Sequence, residues 1–253
     1  MKKRVLITSV VIILALLFML YRGTSRPKGL VAFVIDDWGY NKRNIDLILE
    51  IDSPLTISIL PNLRYSDYVA KEIAKDSNRH DIILHLPLES ETNIAAEIDT
   101  IRSGMEKPKI ASILEKDIKS IPGVIGVSNH QGSRVTKDKR VMGIILAELK
   151  KKELFFLDSL TTPDSVCSYI SHDIGLKCVV RDVFLDITDQ TDLQNLEAYI
   201  KKQIRELAAI ALEKGSAIGV GHNKKITLNV IKDVIPELEK QGIKIVPLKT
   251  LAR

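Results

Sequence analysis

Short apolar runs alternate with amphipathic helical segments through nearly the whole chain after residue 29, and this alternation limits the fold more than any other feature. Eight runs, often β-branched, occupy positions 30–35, 55–60, 82–84, 124–127, 154–157, 178–185, 217–220 and 243–246. Helical periodicity is found at 45–51, 65–75, 108–121, 137–152, 191–214 and 226–240. Most apolar runs are continuous, as in parallel strands covered on both faces. The sequence therefore predicts one α/β domain over residues 29–253, either barrel-like or doubly wound.

The first 28 residues have a different character. Residues 5–21 form an apolar run of 17 residues with basic residues on both sides, at the lower limit of about 17–25 residues for a membrane-spanning helix. No small-residue cleavage site follows closely. Residues 1–28 are therefore predicted to be an uncleaved signal anchor and linker with the body outside the cytoplasm, or a secretion signal if cleavage occurs.

The net charge of +5 belongs to this N-terminal segment. Residues 1–28 hold six basic and no acidic side chains, which leaves 31 basic against 32 acidic side chains, or a net charge of −1, in the body. Aromatic residues make up 5% of the chain. No nucleic-acid partner is expected, because such surfaces are basic and interleaved with aromatic residues.

The two cysteines leave the redox compartment open. Cys167 and Cys178 could form a disulfide in an oxidising compartment. Cys167 lies in a helical pattern and Cys178 begins an apolar run, so two buried free thiols are an equal expectation. Neither belongs to a Cys-x-x-Cys motif, and no thiolate metal site is expected.

Polar side chains follow five of the apolar runs, at the point where each predicted strand ends. They are Asp36 and Asp37, His85, Asn129 and His130, Asp158 and Ser159, and His222. Each alone could be a helix cap, a polar turn or a half-buried histidine. Because the carboxyl ends of parallel strands share one rim, we expect these side chains to meet in a functional site.

The types of residue at these strand ends favour metal-assisted hydrolysis. One aspartate and two histidines can bind a divalent metal while leaving positions open for water and substrate. A second carboxylate can accept the proton of that water, and a further histidine can protonate the leaving group. Gly-rich phosphate loops and the Gly-x-Ser-x-Gly elbow do not occur in the sequence, which argues against nucleotide and serine-hydrolase chemistry.

Six segments of the chain resemble the divergent polysaccharide deacetylases. They are VAFVIDDWGY at 31–40, LHLPLE at 84–89, SNHQGS at 128–133, FLDS at 156–159, RDVFLD at 181–186 and IGVGH at 218–222. The resemblance covers roughly residues 29–250. It implies a deformed (β/α) barrel of seven or eight mainly parallel strands, a divalent metal with zinc as first choice, and an acetylated cell-envelope polysaccharide as substrate.

The resemblance also implies a role for each polar residue. Asp36 corresponds to the general base and His222 to the general acid. Asp37 and His85 correspond to metal ligands. The better-known deacetylases place the second metal histidine four residues after the first, where this chain has Glu89, and the divergent group implies His130 in its place. Groups in a second shell or near substrate would be Glu89, Asn129, Ser133, Asp158, Arg181 and Asp182, although Arg181 and Asp182 could equally form a structural ion pair.

Two other functions stay open at this level. A non-catalytic envelope protein could keep the barrel and bind a glycan or a protein partner, because the histidine at position 89 is absent. A different metal hydrolase, such as a phosphoesterase, is also compatible with these ligands, which do not specify the bond that is broken. The oligomeric state is not predicted.

Overall fold

Parallel strands form a continuous sheet in this computed structural model, which describes residues 26–76, 79–92, 96–189 and 191–252. The strands of the described residues are β1 (Gly29–Trp38), β2 (Thr56–Ile59), β3 (Asp81–Leu88), β4 (Val124–Gln131), β5 (Phe155–Asp158), β6 (Cys178–Val180), β7 (Val183–Phe184), β8 (Ser216–His222) and β9 (Ile243–Ile245). Their order is β6-β5-β4-β3-β2-β1-β8-β7, and β9 also pairs with β1. Each of these pairings is parallel. This confirms the predicted parallel α/β architecture.

The helices of the described residues lie between the strands in sequence. They are α1 (Ile45–Leu49), α2 (Ser66–Ala74), α3 (Lys107–Lys119), α4 (Lys139–Lys151), α5 (Cys167–Ile174), α6 (Leu193–Lys214) and α7 (Lys225–Lys240). Asp138 and Asp192 cap α4 and α6 by accepting hydrogen bonds from backbone N–H groups of the first turn. Six of the seven helices start and end within two residues of the predicted helical segments.

Alternate residues of the strands pack into two different cores. Val31, Phe33 and Ile35 of β1 belong to the large core that the sheet forms with the helices. Ala32 and Val34 belong instead to an inner core, together with Ile83, Leu157, Val220, Leu248 and others. Leu248 closes the amino end of this inner core, where its N–H donates to Thr56 Oγ1 at the start of β2. The sheet therefore curves around its own core as an incomplete barrel, which fits the deformed barrel that was predicted.

The apolar run at 178–185, predicted as one strand, forms two strands at opposite ends of the sheet. β6 pairs with β5, and β7 pairs with β8. Arg181 donates to the carbonyl oxygens of Ser159 and Leu160 at 2.8 and 3.0 Å. Asp182 accepts a hydrogen bond of 2.9 Å from the N–H of Ile218. These two polar residues fix the two sides of the barrel opening. Among the described residues, eight strands form the continuous order and β9 adds a further pairing, which agrees with the prediction of about seven or eight strands.

The predicted N-terminal helix lies outside the described residues, since the description begins at residue 26. Within the described part of the chain, no helix has the length and apolar character needed to cross a membrane.

Both cysteines are free thiols. Cys167 is buried, and Cys178 is partly exposed. Burial raises the pKa of the Cys178 thiol to about 11, so it is protonated at neutral pH.

Candidate active site

The inward-facing positions of the strands change from apolar to polar at their carboxyl ends. In β1, Asp36 follows Ala32 and Val34 in the inner column, and in β8, His222 follows Ile218 and Val220. Asp36 and His222 are paired in register across β1 and β8. The register of the sheet therefore places the carboxylate of one strand beside the imidazole of the next.

Asp37 has an unusual backbone conformation that brings a second carboxylate into the same space. Its φ is 66°, in the left-handed region, where the pairing of β1 with β2 shifts register. In a regular strand Asp37 would point away from Asp36. Here Asp36 Oδ2 and Asp37 Oδ1 lie 3.7 and 3.4 Å from Nε2 of His85. Left-handed conformations of non-glycine residues are costly and concentrate at functional sites.

Three donor atoms converge at the ends of β1, β3 and β4. Asp37 Oδ1 is 3.4 Å from His85 Nε2 and 3.2 Å from His130 Nδ1, and the two imidazole nitrogens are 3.2 Å apart. Two ligands of a tetrahedral zinc-type ion at about 2.1 Å from the metal lie about 3.4 Å apart. The triangle therefore has the dimensions and the nitrogen and oxygen donors that suit a divalent cation.

One oxygen of each of the two aspartates in this cluster lacks a hydrogen-bond donor, which supports the cation assignment. Asp36 Oδ1 and Asp37 Oδ1 are buried, and among the described residues neither accepts a well-directed hydrogen bond. Burial opposes ionisation of Asp37, but its contacts with His130 and His85 hold the pKa of this carboxyl well below its usual range. The side chains of Asp37 and His130 are 32% and 17% exposed, so the cluster opens to solvent on their side.

A chain of buried hydroxyl groups orients His85. Ser128 Oγ lies 2.8 Å from His85 Nδ1 and 2.8 Å from Ser58 Oγ, and both serines are fully buried. Ser58 in turn hydrogen-bonds the carboxyl group of Asp36. The hydrogen bonds are consistent if His85 Nδ1–H donates to Ser128, Ser128 donates to Ser58, and Ser58 donates to the carboxylate of Asp36. This arrangement leaves the lone pair of His85 Nε2 facing the triangle.

Asp36 is the most enclosed carboxyl group of the site, with 2% of the residue exposed. Burial raises the pKa of Asp36, and the nearby charges of His85 and His222 oppose this effect. A buried carboxyl group whose ionised form is disfavoured by desolvation has a strong tendency to take up a proton.

His222 is held by a second aspartate, Asp186. Nδ1 of His222 lies 2.7 Å from Asp186 Oδ1, and the backbone N–H of His222 donates to Asp186 Oδ2 at 3.0 Å. Thr227 Oγ1 also donates to Asp186 Oδ2, at 2.7 Å. Burial lowers the pKa of His222, but the hydrogen bond and charge of Asp186 outweigh it, and the pKa is raised overall. His222 thus holds a proton more strongly than a free imidazole does, and Asp186 engages its Nδ1 atom.

Glu89 and Ser133 fasten the loops beside the site. Glu89 Oε2 accepts hydrogen bonds from the N–H and the hydroxyl of Ser103, at 2.9 and 2.8 Å. The bond from the Ser103 backbone is the main cause that lowers the pKa of Glu89. Ser133 Oγ accepts the N–H of Glu91 at 3.0 Å. The structure brings neither residue into the triangle of donor atoms.

Asn129 and Asp158 hold the loops that follow β4 and β5. Asn129 Oδ1 accepts the N–H of Ser159 at 2.8 Å. Asp158 accepts the N–H of Leu160 at 2.8 Å and the hydroxyl of Ser165 at 2.5 Å. Among the described residues, both side chains thus hydrogen-bond neighbouring loops and not the histidines.

Arg181 and Asp182 have different positions. The guanidinium of Arg181 lies 3.7 Å from the centre of the Phe184 ring, and this ring stacks on His222 at 6.3 Å. Arg181 therefore reaches His222 through Phe184. Asp182 lies at the other end of β8, against Ile218 and 4.0 Å from Lys214.

Four residues of the site were not predicted as such: Ser58, Ser128, Asp186 and Thr227. Asp186 directly follows the apolar run at 178–185, as Asp36 follows the first run, so the strand-end rule could have found it. The serines lie within strands and carry no sequence signal that separates them from ordinary buried hydroxyls.

The sequence of the chain matches a known family over most of its length. Residues 33–252 match the family model described as divergent polysaccharide deacetylase. The Escherichia coli (strain K12) protein YibQ, itself uncharacterized, is 29% identical over 228 residues, which are 89% of this chain and 68% of YibQ.

Solved structures share the fold. The crystal structure of the uncharacterized protein ATU2773 from Agrobacterium tumefaciens C58 has a TM-score of 0.81 at 23% identity, covering 90% of each chain. BA3943 from Bacillus anthracis, a CE4 family pseudoenzyme, has a TM-score of 0.52 at 16% identity, covering 89% of this chain and 66% of BA3943. At these identities the likeness shows the fold alone.

Proposed function

Because the chain belongs to the divergent polysaccharide deacetylase family, we propose that it is a metal-dependent hydrolase that removes acetyl groups from an N- or O-acetylated cell-envelope polysaccharide. The observation that carries this proposal is the triangle of Asp37, His85 and His130, which lies next to the buried carboxyl group of Asp36. His222 completes the set on the neighbouring strand.

Asp37, His85 and His130 would hold a divalent ion, with zinc as the first choice for two imidazoles and one carboxylate. When bound, such an ion acts as a Lewis acid toward an acyl carbonyl and lowers the pKa of water at the site. The cluster is open on the side of Asp37 and His130, so an acyl group can enter from the solvent.

The two remaining groups would move protons. Asp36 accepts a proton from the water molecule whose oxygen attacks the acyl carbon. His222 donates a proton from Nε2 to the leaving nitrogen or oxygen as its bond to the acyl carbon breaks, which yields acetate and a free amine or hydroxyl group. Asp186 is a positioning residue in this scheme, because it fixes the ring of His222 through Nδ1.

The proposed location follows from residues 1–28. Their basic and apolar pattern favours a signal anchor that places the body outside the cytoplasm. A cell-envelope polysaccharide would be accessible there.

A non-catalytic, glycan-binding or partner-binding role is the second candidate. Glu89 takes the position of the second metal histidine and is engaged by Ser103, and a protein that shares the fold, BA3943, is described as a CE4 family pseudoenzyme. The geometry favours catalysis because His130 supplies the missing nitrogen at 3.2 Å from Asp37.

The proposal is tested with the full-length protein purified in a neutral detergent. Zinc content and acetate release are measured on N-acetylated and O-acetylated oligosaccharides, with wild type and Asp36→Asn. We expect bound metal in both proteins and a rate lower by about 100-fold or more in the variant. Bound metal without acetate release on any substrate would favour the non-catalytic role, and equal rates in the two proteins would rule out Asp36 as the base.

A further inference from the structure

A basic groove adjoins the half of the site that contains His222. Its volume is about 600 Å³, and it is lined by Asn41, Arg43, Asn44, Asn223, Lys224 and Lys225. Asn223 and Lys224 directly follow His222 in the chain, and the N–H of Asn223 donates to the carbonyl oxygen of Asp36 at 3.0 Å. The groove is therefore tied to the proposed base and to the proposed acid.

The charge of this basic groove is one-sided. Three of the residues that line it are cationic, and none of its lining residues in the described chain carries a carboxylate. Lys224 lies 3.8 Å from Asp186 Oδ2. Arg43 and Lys225 are exposed and have no carboxylate within ion-pair distance in the part of the chain that the structure describes. This local excess occurs in a body whose net charge is −1.

The walls of the basic groove are fixed by hydrogen bonds. Nδ2 of Asn44 donates to Oδ1 of Asn223 at 2.8 Å and so joins the loop after β1 to the loop after β8. Asn44 holds a left-handed φ of 67°. Oδ1 of Asn41 accepts the N–H of Arg43 at 2.9 Å. The cations therefore lie on the loop after β1, on the loop after β8 and at the start of α7, and the two loops are connected before any ligand binds, which lowers the ordering cost of binding.

We propose that the basic groove binds an anionic substituent of the glycan, a carboxylate or a phosphate ester carried near the acetylated sugar. This inference rests on the proposed function and specifies the substrate as an acidic polysaccharide. Arg43 and Lys225 would contact the anion directly, since neither forms an ion pair with another described residue. Lys224 would contribute less, because Asp186 neutralises part of its charge.

The test compares a neutral and an acidic tetrasaccharide, and the double variant described below separates the effect of charge from their differences in linkage and N-acetyl content. Binding of chitotetraose, which is neutral, and of a hyaluronan tetrasaccharide, which carries carboxylates, is measured by calorimetry on the full-length protein at low salt. EDTA is present so that neither probe is hydrolysed. We expect the acidic probe to bind about tenfold more tightly, because two solvent-exposed ion pairs together give an affinity difference of about this size. The difference should shrink as salt is added, because salt screens exposed charges.

Two variants and one further probe pair complete the design. Arg43→Gln/Lys225→Gln should reduce the preference to about twofold or less and leave chitotetraose binding unchanged. Lys232→Gln is the matched control, because Lys232 also lies on α7 but pairs with Glu50 at 2.6 Å, and it should keep the preference. N-acetylglucosamine 1-phosphate against N-acetylglucosamine distinguishes a phosphate from a carboxylate as the preferred anion.

Equal affinity for the two tetrasaccharides, no binding of either, or a preference that survives Arg43→Gln/Lys225→Gln would overturn the inference. The measurement does not depend on metal or turnover. If acetate release fails on every substrate while the charge preference and its loss in the double variant are observed, the proposed hydrolase function is wrong and the anion site stands.

Discussion

The two halves of the site satisfy their polar groups in different ways. In the half proposed to bind metal (the metal half), formed by Asp37, His85 and His130, three potential ligand atoms lie 3.2 to 3.4 Å apart, and Asp37 Oδ1 accepts no well-directed hydrogen bond among the described residues. In the acid half, formed by His222 and Asp186, both carboxylate oxygens of Asp186 accept hydrogen bonds.

The difference indicates which half would bind the proposed metal. Three lone pairs that face one another at this distance are costly unless a proton or a cation lies between them. The acid half is complete with its own residues and should be formed whether or not a metal is present. Metal binding and the state of His222 should therefore respond to different substitutions.

The largest effect is expected from removing ligands of the metal half. His85→Ala/His130→Ala should weaken zinc binding by more than the roughly 100-fold that loss of an outer-shell partner costs. Zinc titration and the rise in the unfolding temperature with added zinc both report this affinity. A free zinc concentration of 100 times the Kd should raise the free energy of unfolding by about 2.7 kcal/mol.

Two controls make this result specific. His172→Ala removes an exposed histidine on α5, whose side chain is 92% exposed, and should leave zinc binding unchanged. His222→Ala removes the acid half and should also leave it unchanged. Equal zinc binding by wild type and the double variant would show that the ligand set is wrong.

A smaller effect is expected from the hydroxyl groups behind His85. Ser128→Ala removes the partner of His85 Nδ1, so Nε2 is no longer fixed as the atom that carries the lone pair, and zinc affinity should fall by about 10–100-fold. Ser58→Ala breaks only the next link and should cost less. If Ser128→Ala binds zinc as wild type does, the hydroxyl chain has only a packing role.

The effect of Asp186 on His222 should be visible in the pH dependence of activity. Asp186→Asn removes the negative charge that raises the pKa of His222, so the protonated acid is lost at lower pH. The alkaline limb of kcat/KM should move to lower pH, and activity near neutral pH should fall by about tenfold, while zinc affinity is retained. An unmoved alkaline limb would mean that another group is the acid.

The same pair contributes to stability within a defined pH window. The pKa of Asp186 is lowered, so its contribution is present above the unfolded value of about 3.9 and is lost as the pH falls through the folded pKa. The pKa of His222 is raised, so its contribution is complete below about pH 6.5 and is lost as the pH rises through the folded pKa. The stability difference between wild type and Asp186→Asn should be largest between these limits.

The strand pattern was sufficient to predict most of the fold and the strand-end cluster. Runs such as 30–35 and 217–220 coincide with β1 and β8, and their parallel pairing brings Asp36 beside His222. The split of residues 178–185 could not be read from the pattern, because the break depends on where Arg181 finds its acceptors, in a loop more than 20 residues away. Ser128 was missed for a similar reason, since only the register of β3 with β4 places it against His85.

The smallest effect is expected from Thr227, and it tests whether the hydrogen bond from Thr227 to Asp186 stabilises the fold without affecting the pKa of His222. Thr227 donates to Asp186 Oδ2, which also accepts the N–H of His222. Thr227→Val keeps the shape of this buried side chain and removes one donor to a charged acceptor, which should lower the free energy of unfolding by about 1–2 kcal/mol.

Urea unfolding at pH 7 measures this change in the free energy of unfolding. Thr250→Val is the exposed control and should change the free energy of unfolding by about 0.5 kcal/mol or less. Because the ring of His222 still bonds Asp186 Oδ1, the alkaline limb of activity should stay in place. If Thr227→Val shifts the alkaline limb of the pH profile as far as Asp186→Asn does, Thr227 raises the pKa of His222 as well as stabilising the loop.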